Sequence, residues 1–388
     1  MIFTYPTPII TKKQKGNYWG DASNGDVTYS SNTNLVVPNK NGLYDGDMVV
    51  MNYRNLTINN GVTITTDQPC RGMLIYVKEN CTINGTLTMT ARGAYANPTV
   101  AGGSDGNAVS SNGLRFKRRK EGQTQTLSDN NLLYGCGTAA VTAENNQSKI
   151  DNNGKIYTIA RTGANGASAA VAGKDTGVNG GSGSNGSTGQ SGGGGAGGAT
   201  TGNAGTTTSG AGSAGTCFSG GAGGGAAIDI RGGGSVLTAD SGDSYGGQGG
   251  DGAVAGTTNS LGAGGGAGNP GGVKSCNVHP SHAQDGFDGT GGLIVLFVRG
   301  NLTIGATGKI EANGKDGGDG LSVPTIASGG GASGGGNILI LRSVDGTYTN
   351  NGTIQANGGT GGAKNSHVYA ATGGNGGTGS IQIDTVDV

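Results

Sequence analysis

Charge is the first thing this 388-residue chain has little of: Lys and Arg number 24, Asp and Glu 24, and charged residues make up only 12%. A formal net charge of zero removes any general attraction to nucleic acid or to an anionic membrane. Aromatic residues are scarce at 5%, with one tryptophan, Trp19. That scarcity speaks against a polysaccharide-cleaving site, whose paired carboxylates are usually flanked by aromatic sugar platforms. Three histidines leave no visible Ser-His-Asp arrangement. Five cysteines, Cys70, Cys81, Cys136, Cys217 and Cys276, are odd in number and widely spaced, so they read as free thiols rather than a disulfide framework. The longest purely apolar run, Leu293 to Val298, is too short to span a bilayer, and no membrane insertion is expected. Met1 to Gln14 lacks the basic and apolar regions of a secretory signal.

Glycine is what the chain has in excess, at 87 residues, without the strict Gly-X-Y period of collagen. Short stretches alternate apolar and polar residues at the period of a half-buried strand: Val27-Thr28-Tyr29, Leu56-Thr57-Ile58 and Val62-Thr63-Ile64-Thr65. Asn59-Asn60-Gly61 separates two of them as a turn. No convincing amphipathic helix is visible. Three regions follow: 1–95, a β-rich attachment or oligomerisation region; 96–161, an insertion or extended arm with the basic run Arg115 to Lys120; and 162–388, a glycine-rich repeat body with display loops.

An internal repeat organises the last region. Gly291-Gly292-Leu293-Ile294 leads to Ile310-Glu311-Ala312-Asn313-Gly314, and forty-four residues later Gly335-Gly336-Asn337-Ile338 leads to Ile354-Gln355-Ala356-Asn357-Gly358. Arg71-Gly72-Met73-Leu74-Ile75 through to Met89 is a looser copy. Self-similarity of this kind predicts an all-β, β-solenoid-like stack of short strands. Glycine tracts bury no side chains, but their backbones can approach closely enough to bond laterally. The expectation is therefore a packed, polyglycine-II-type glycine-rich region.

Candidate chemistry is thin. Matches to G-x-G-x-x-G are expected by chance at this composition, and Val273 interrupts the only near miss to a phosphate loop, so no cofactor is expected. Cys276, His279 and His282 could supply three metal ligands, against the alternative of an exposed loop, since a closed zinc site needs four. The Asp-Gly pairs at 285–289 and 316–320 could bind calcium, but turn chemistry explains them as well.

The segment from Asn17-Tyr18-Trp19-Gly20-Asp21 through Leu56-Thr57-Ile58 to Ile83 through Gly93, with the repeated Ile-x-Ala-Asn-Gly, resembles glycine-rich structural and tip-adhesin proteins of tailed bacteriophages. The resemblance implies a non-catalytic virion protein, a tail fibre or tip adhesin made in the bacterial host cytoplasm, that recognises the host surface. Its alternatives are a polysaccharide-degrading tail spike or a head decoration without a receptor role. Implied partners are other virion proteins, further copies of the chain, and a bacterial receptor, either a glycan or an outer-membrane protein. Tyr245, His279, His282, Phe287, His367 and Tyr369 place aromatic or imidazole groups beside glycine-rich scaffold and are the candidate receptor contacts, or else they fill small satellite cores.

Overall fold

The computed structural model describes residues 19–38, 40, 48–70, 72–93, 146–150, 156–160, 163–173, 175–201, 207–212, 214–215, 219–229, 260–261, 289–320, 328–366 and 368–386. These residues are all-β. The N-terminal part contributes β1 (Gly25–Tyr29), β2 (Thr33–Leu35), β3 (Val49–Ile58), β4 (Thr63–Thr66), β5 (Met73–Val77), β6 (Cys81–Ile83) and β7 (Thr86–Thr88). Smaller strands follow. β8 (Asn146–Ile150) and β9 (Ile156–Ala160) pair with each other, as do β10 (Val171–Ala172) and β13 (Thr207–Thr208). β11 (Thr176–Val178), β12 (Ala199–Thr201), β14 (Ala227–Asp229) and β15 (Ser260–Leu261) form a four-stranded sheet. The last group is β16 (Leu293–Val298), β17 (Leu302–Ile304), β18 (Lys309–Glu311), β19 (Asn337–Ser343), β20 (Tyr348–Asn350), β21 (Thr353–Gln355) and β22 (Ser380–Val386).

Two parallel sheets carry the architecture. The larger has nine strands in the order β20-β17-β6-β3-β5-β16-β19-β22, with β1 added on β3. The second runs β2-β4-β7-β18-β21. Strands from residues 291–386 thus pair directly with strands from residues 49–88. The apolar runs explain why. In Met73–Val77 and Leu293–Val298 every residue is buried, as expected when a parallel sheet is covered on both faces. One face carries the ladder Ile75–Leu296–Ile340, and the other carries Leu74–Val295–Leu339. The core lies between the two sheets, where Ile58, Ile83 and Ile304 meet Ile64, Leu87 and Ile310. Each such side chain contributes about 1.5–3 kcal/mol by leaving water. On the opposite face Tyr76 stacks on Phe297 with centroids 4.8 Å apart, and the Trp19 ring meets Phe297 edge-on at 6.5 Å.

The β-solenoid of stacked short strands with a polyglycine-II-type body is not the architecture. The chain forms a curled, strongly bonded half-barrel of long parallel strands. The ten-residue β3 shows the reason. Val49–Tyr53 pair with β5, while Leu56–Ile58 of the same strand pair with β6. A single strand therefore runs through the place where a solenoid of short strands would turn a corner, and the two halves of the sheet stay bonded as one. Glycine segments connect the strands and bond to one another through the backbone. The segment 191–198 donates from Gly192 to Gly335, from Gly193 to Ser184 and from Gly195 to Ala332, each at 2.8–2.9 Å.

Candidate functional site

One half of the nine-stranded sheet, β1-β3-β6-β17-β20, presents an exposed face of unusual regularity. Each of its strands centres on a threonine, and in all but the edge strand β20 both neighbours turn toward the core, because successive side chains in a strand alternate faces. In Leu56-Thr57-Ile58, Cys81-Thr82-Ile83 and Leu302-Thr303-Ile304 the flanking residues are buried and the threonine is half-buried. In Val27-Thr28-Tyr29 and Tyr348-Thr349-Asn350 the threonine is exposed. The register aligns all five: Thr28 with Thr57, Thr57 with Thr82, Thr82 with Thr303, and Thr303 with Thr349.

Two more rows run beside this ladder, where the strands begin and end. Two residues before each threonine stand Asp26, Asn55, Asn80, Asn301 and Thr347, and two residues after stand Ser30, Asn59, Asn84, Gly305 and Asn351. Hydrogen bonds fix both rows. The Asn80 amide N–H donates to Asn55 Oδ1 at 2.9 Å, Asn301 N–H to Asn80 Oδ1 at 3.3 Å, and Thr347 N–H to Asn301 Oδ1 at 3.0 Å. On the other side, backbone N–H groups of Asn59, Asn84, Gly305 and Asn351 donate to Tyr29, Ile58, Ile83 and Ile304 carbonyls at 2.9–3.1 Å. The same bond recurs at each step from strand to strand. Gly305 carries no side chain because Asn84 Oδ1 lies where its Cβ would stand.

Asp26, at one corner, is the single ionisable residue of the array. Arg54 and Asn55 bond its carboxylate, with Arg54 Nε to Oδ1 at 2.8 Å, and hold its pKa down to about 2. Beneath the face, Tyr29 and Tyr53 share a hydroxyl hydrogen bond of 2.8 Å. Burial, then that bond, pushes the Tyr53 phenol well above its ordinary range. Burial likewise pushes the Cys81 thiol up to about 12. Cys70 and Cys81 are both buried and form no disulfide.

Of the candidate receptor contacts singled out from sequence, only Tyr369 falls among the described residues. Tyr245, Cys276, His279, His282, Phe287, His367 and the basic run 115–120 lie outside the described residues. Tyr369 is half-buried, and its carbonyl packs against Gly177. The Asp-Gly turn at 316–320 is occupied structurally: Asp316 Oδ1 accepts from Thr360 N–H and Asp319 Oδ1 from Ala363 N–H, both at 2.7 Å. Among the described residues no group of three His, Cys, Asp or Glu side chains could hold a metal ion. Nor is any helix among them long and apolar enough to cross a membrane. The polar array itself was hidden in the sequence. Its signal is an Asx or Thr two residues before a threonine flanked mostly by apolar residues, but 320 positions intervene between Thr28 and Thr349.

What the fold and face define is a class only: an all-β protein of curled parallel sheet, with a neutral polar array on one half. No family model, no curated protein and no solved structure matches the chain. The likeness to glycine-rich bacteriophage structural and tail proteins is accordingly overturned, and with it the tail-fibre, adhesin and host-recognition reading. Its warrant was a pattern of glycines and short repeats. The topology that such a pattern implied, a solenoid fibre, is not the one the strands adopt.

Proposed function

We propose that this chain is a non-catalytic binding scaffold whose three-row threonine and asparagine array docks an ordered, uncharged ligand. The observation that carries this reading is the unbroken register of Thr28, Thr57, Thr82, Thr303 and Thr349. A row of hydroxyls repeated at the strand spacing of roughly 4.7–4.9 Å suits a partner that repeats as well. Nothing in a single small substrate would use five equivalent positions. The one carboxylate of the array is paired with Arg54 and the chain carries no net charge, which favours an uncharged partner over nucleic acid. Rigidity follows from construction, since the face is one surface of a sheet buried on its inner side and its amides are bonded in place.

Sedimentation of the full chain with ordered solids (crystalline cellulose, crystalline chitin and finely divided ice) tests the proposal. The wild type should partition onto at least one of them, and the Thr57→Tyr, Thr82→Tyr, Thr303→Tyr triple variant should stay in solution. A wild type that partitions onto none, or a triple variant that binds as the wild type does, refutes the reading.

A further inference from the structure

Resting on that reading of the array, we propose that its ligand is ice. Size excludes the commonest alternative. Four inter-strand gaps of about 4.8 Å and two steps of about 6.6 Å along each strand give a face of roughly 19 by 13 Å. That is about 250 Å², well short of the roughly 800 Å² per partner that a stable protein interface buries. Contact with a protein would therefore have to extend far beyond the regular positions, and the regularity would serve nothing. A crystal lattice, in contrast, uses every repeated position at once.

The chemistry of the positions separates ice from a crystalline polysaccharide. Sugar rings present apolar faces that aromatic side chains cover, and the array holds no aromatic residue. Tyr29, Tyr53 and Tyr348 belong to the core side of these strands, where they pack with the central cluster. What the face does hold is threonine and serine hydroxyls, which both donate and accept, beside asparagine amides bonded mainly from strand to strand and, at one corner, the Asp26 carboxylate paired with Arg54. Water is the ligand whose own pattern is equal donation and acceptance in a regular lattice. β-Branching restricts each threonine to few rotamers, so its hydroxyl and methyl are set before any water arrives. Asn55, Asn80 and Asn301 are fixed by the bonds that join strand to strand. Waters bridging such rows inherit the spacing of the strands, and a layer already so ordered joins a growing ice surface at little further entropic cost.

The neighbouring sheet offers an internal control. Its corresponding outward row is Thr63, Thr86, Lys309 and Thr353, where a charged residue interrupts the threonines. Lys309 is exposed in the middle of its row and keeps its own hydration shell, whereas Asp26 stands at a corner of its array in an ion pair with Arg54, so this second face is not expected to join a lattice.

Slow growth of an ice hemisphere in a solution of the full chain, with cellulose and chitin sedimentation in parallel, tests the proposal. The variants are Thr82→Tyr with Thr303→Tyr, the single edge-strand change Thr349→Tyr, and the control Thr353→Tyr. Tyrosine favours exposed strand positions, and Thr349 on an edge strand keeps the test valid if the double variant does not fold. The wild type and Thr353→Tyr should be enriched in the ice, and the other two should be excluded with unchanged circular dichroism. Exclusion of the wild type from ice, together with array-dependent binding to cellulose or chitin, overturns ice and leaves the scaffold reading standing. Binding to none of the three overturns both. Ice binding that survives the array substitutions overturns this assignment of the surface.

Discussion

Replacing Gly194 by alanine is the sharpest probe of how the glycine segments are held. A Cβ at this position would fall well inside 3.0 Å of the Ala222 carbonyl and of its carbon. These are backbone atoms, with no flexible side chain to swing aside. The segment 219–226 would have to move away, and two bonds hold it where it is: Gly221 N–H to the Gly192 carbonyl at 2.8 Å, and Gly224 N–H to the Gly195 carbonyl at 2.7 Å. Overpacking alone costs about 1–3 kcal/mol. Each of the two buried donors left without its acceptor adds about 1–3 kcal/mol, so the expected loss is roughly 3–9 kcal/mol. Gly173 is the matched control. It is exposed, its added Cβ would meet nothing within 4 Å, and its φ is not left-handed. Gly173→Ala should be neutral or stabilise by about 0.4–1 kcal/mol, through the narrower unfolded ensemble. Urea denaturation followed by tryptophan fluorescence and circular dichroism reads both. With a slope of roughly 3 kcal/mol per molar for a chain of this size, Gly194→Ala should lower the midpoint by about 1 M or more. Equal midpoints for Gly194→Ala and Gly173→Ala would refute the packing of 191–198 against 219–226.

In the main core, Ile340→Ala should cost about 2–5 kcal/mol by leaving a cavity between Leu296 and the neighbouring strands, measurable as a lowered melting temperature. Below neutral pH, Asp26 adds stability that is present above its unfolded value of 3.8 and is lost as pH falls toward about 2. Acid titration of melting temperature should therefore show a step in that window, and Asp26→Asn should remove it. At the alkaline end, Tyr53, Tyr76 and Cys81 all have pKa values raised by burial, the last two to about 12. Their contribution is complete below the unfolded values of 9.0 for cysteine and 10.0 for tyrosine and is lost as pH climbs through the folded ones. Stability should decline from about pH 9 upward, and Tyr53→Phe should blunt the decline. Peptide-level mapping after treatment with a thiol reagent at neutral pH should find Cys70 and Cys81 unlabelled until the protein is denatured.

Much of the strand content was written locally. Leu56-Thr57-Ile58, Met73 to Val77 and Leu293 to Val298 specify strands through alternation or continuous burial, and the paired segments around Ile294 and Ile338 announced their own adjacency by repetition. Val27-Thr28-Tyr29 had the right period as well. Those are short-range properties, set by which side chains can leave water together and by how a pleated backbone alternates them. The curvature of the sheet was of another kind. It depends on β3 bonding β5 with its first half and β6 with its second, and nothing in Val49 to Ile58 states that two different partners will share one strand. The solenoid expectation failed there, because repetition fixes which segments are alike without fixing how a non-repeating strand joins them.

The polar array shows the same division. Thr28, Thr57, Thr82 and Thr303 owe their outward direction to apolar neighbours one residue away, which the sequence determined by itself. The alignment of Thr28, Thr57, Thr82, Thr303 and Thr349 was decided only by tertiary structure, because hydrogen bonding between strands sets the register between residues hundreds of positions apart. Asn55, Asn80 and Asn301 read as turn residues in isolation, since a single asparagine favours loops. Side by side, each offers its amide oxygen to the backbone of the next strand, and a loop former becomes a step of a ladder. Parallel pairing requires long connections, so the residues that make up this face could not be neighbours in sequence.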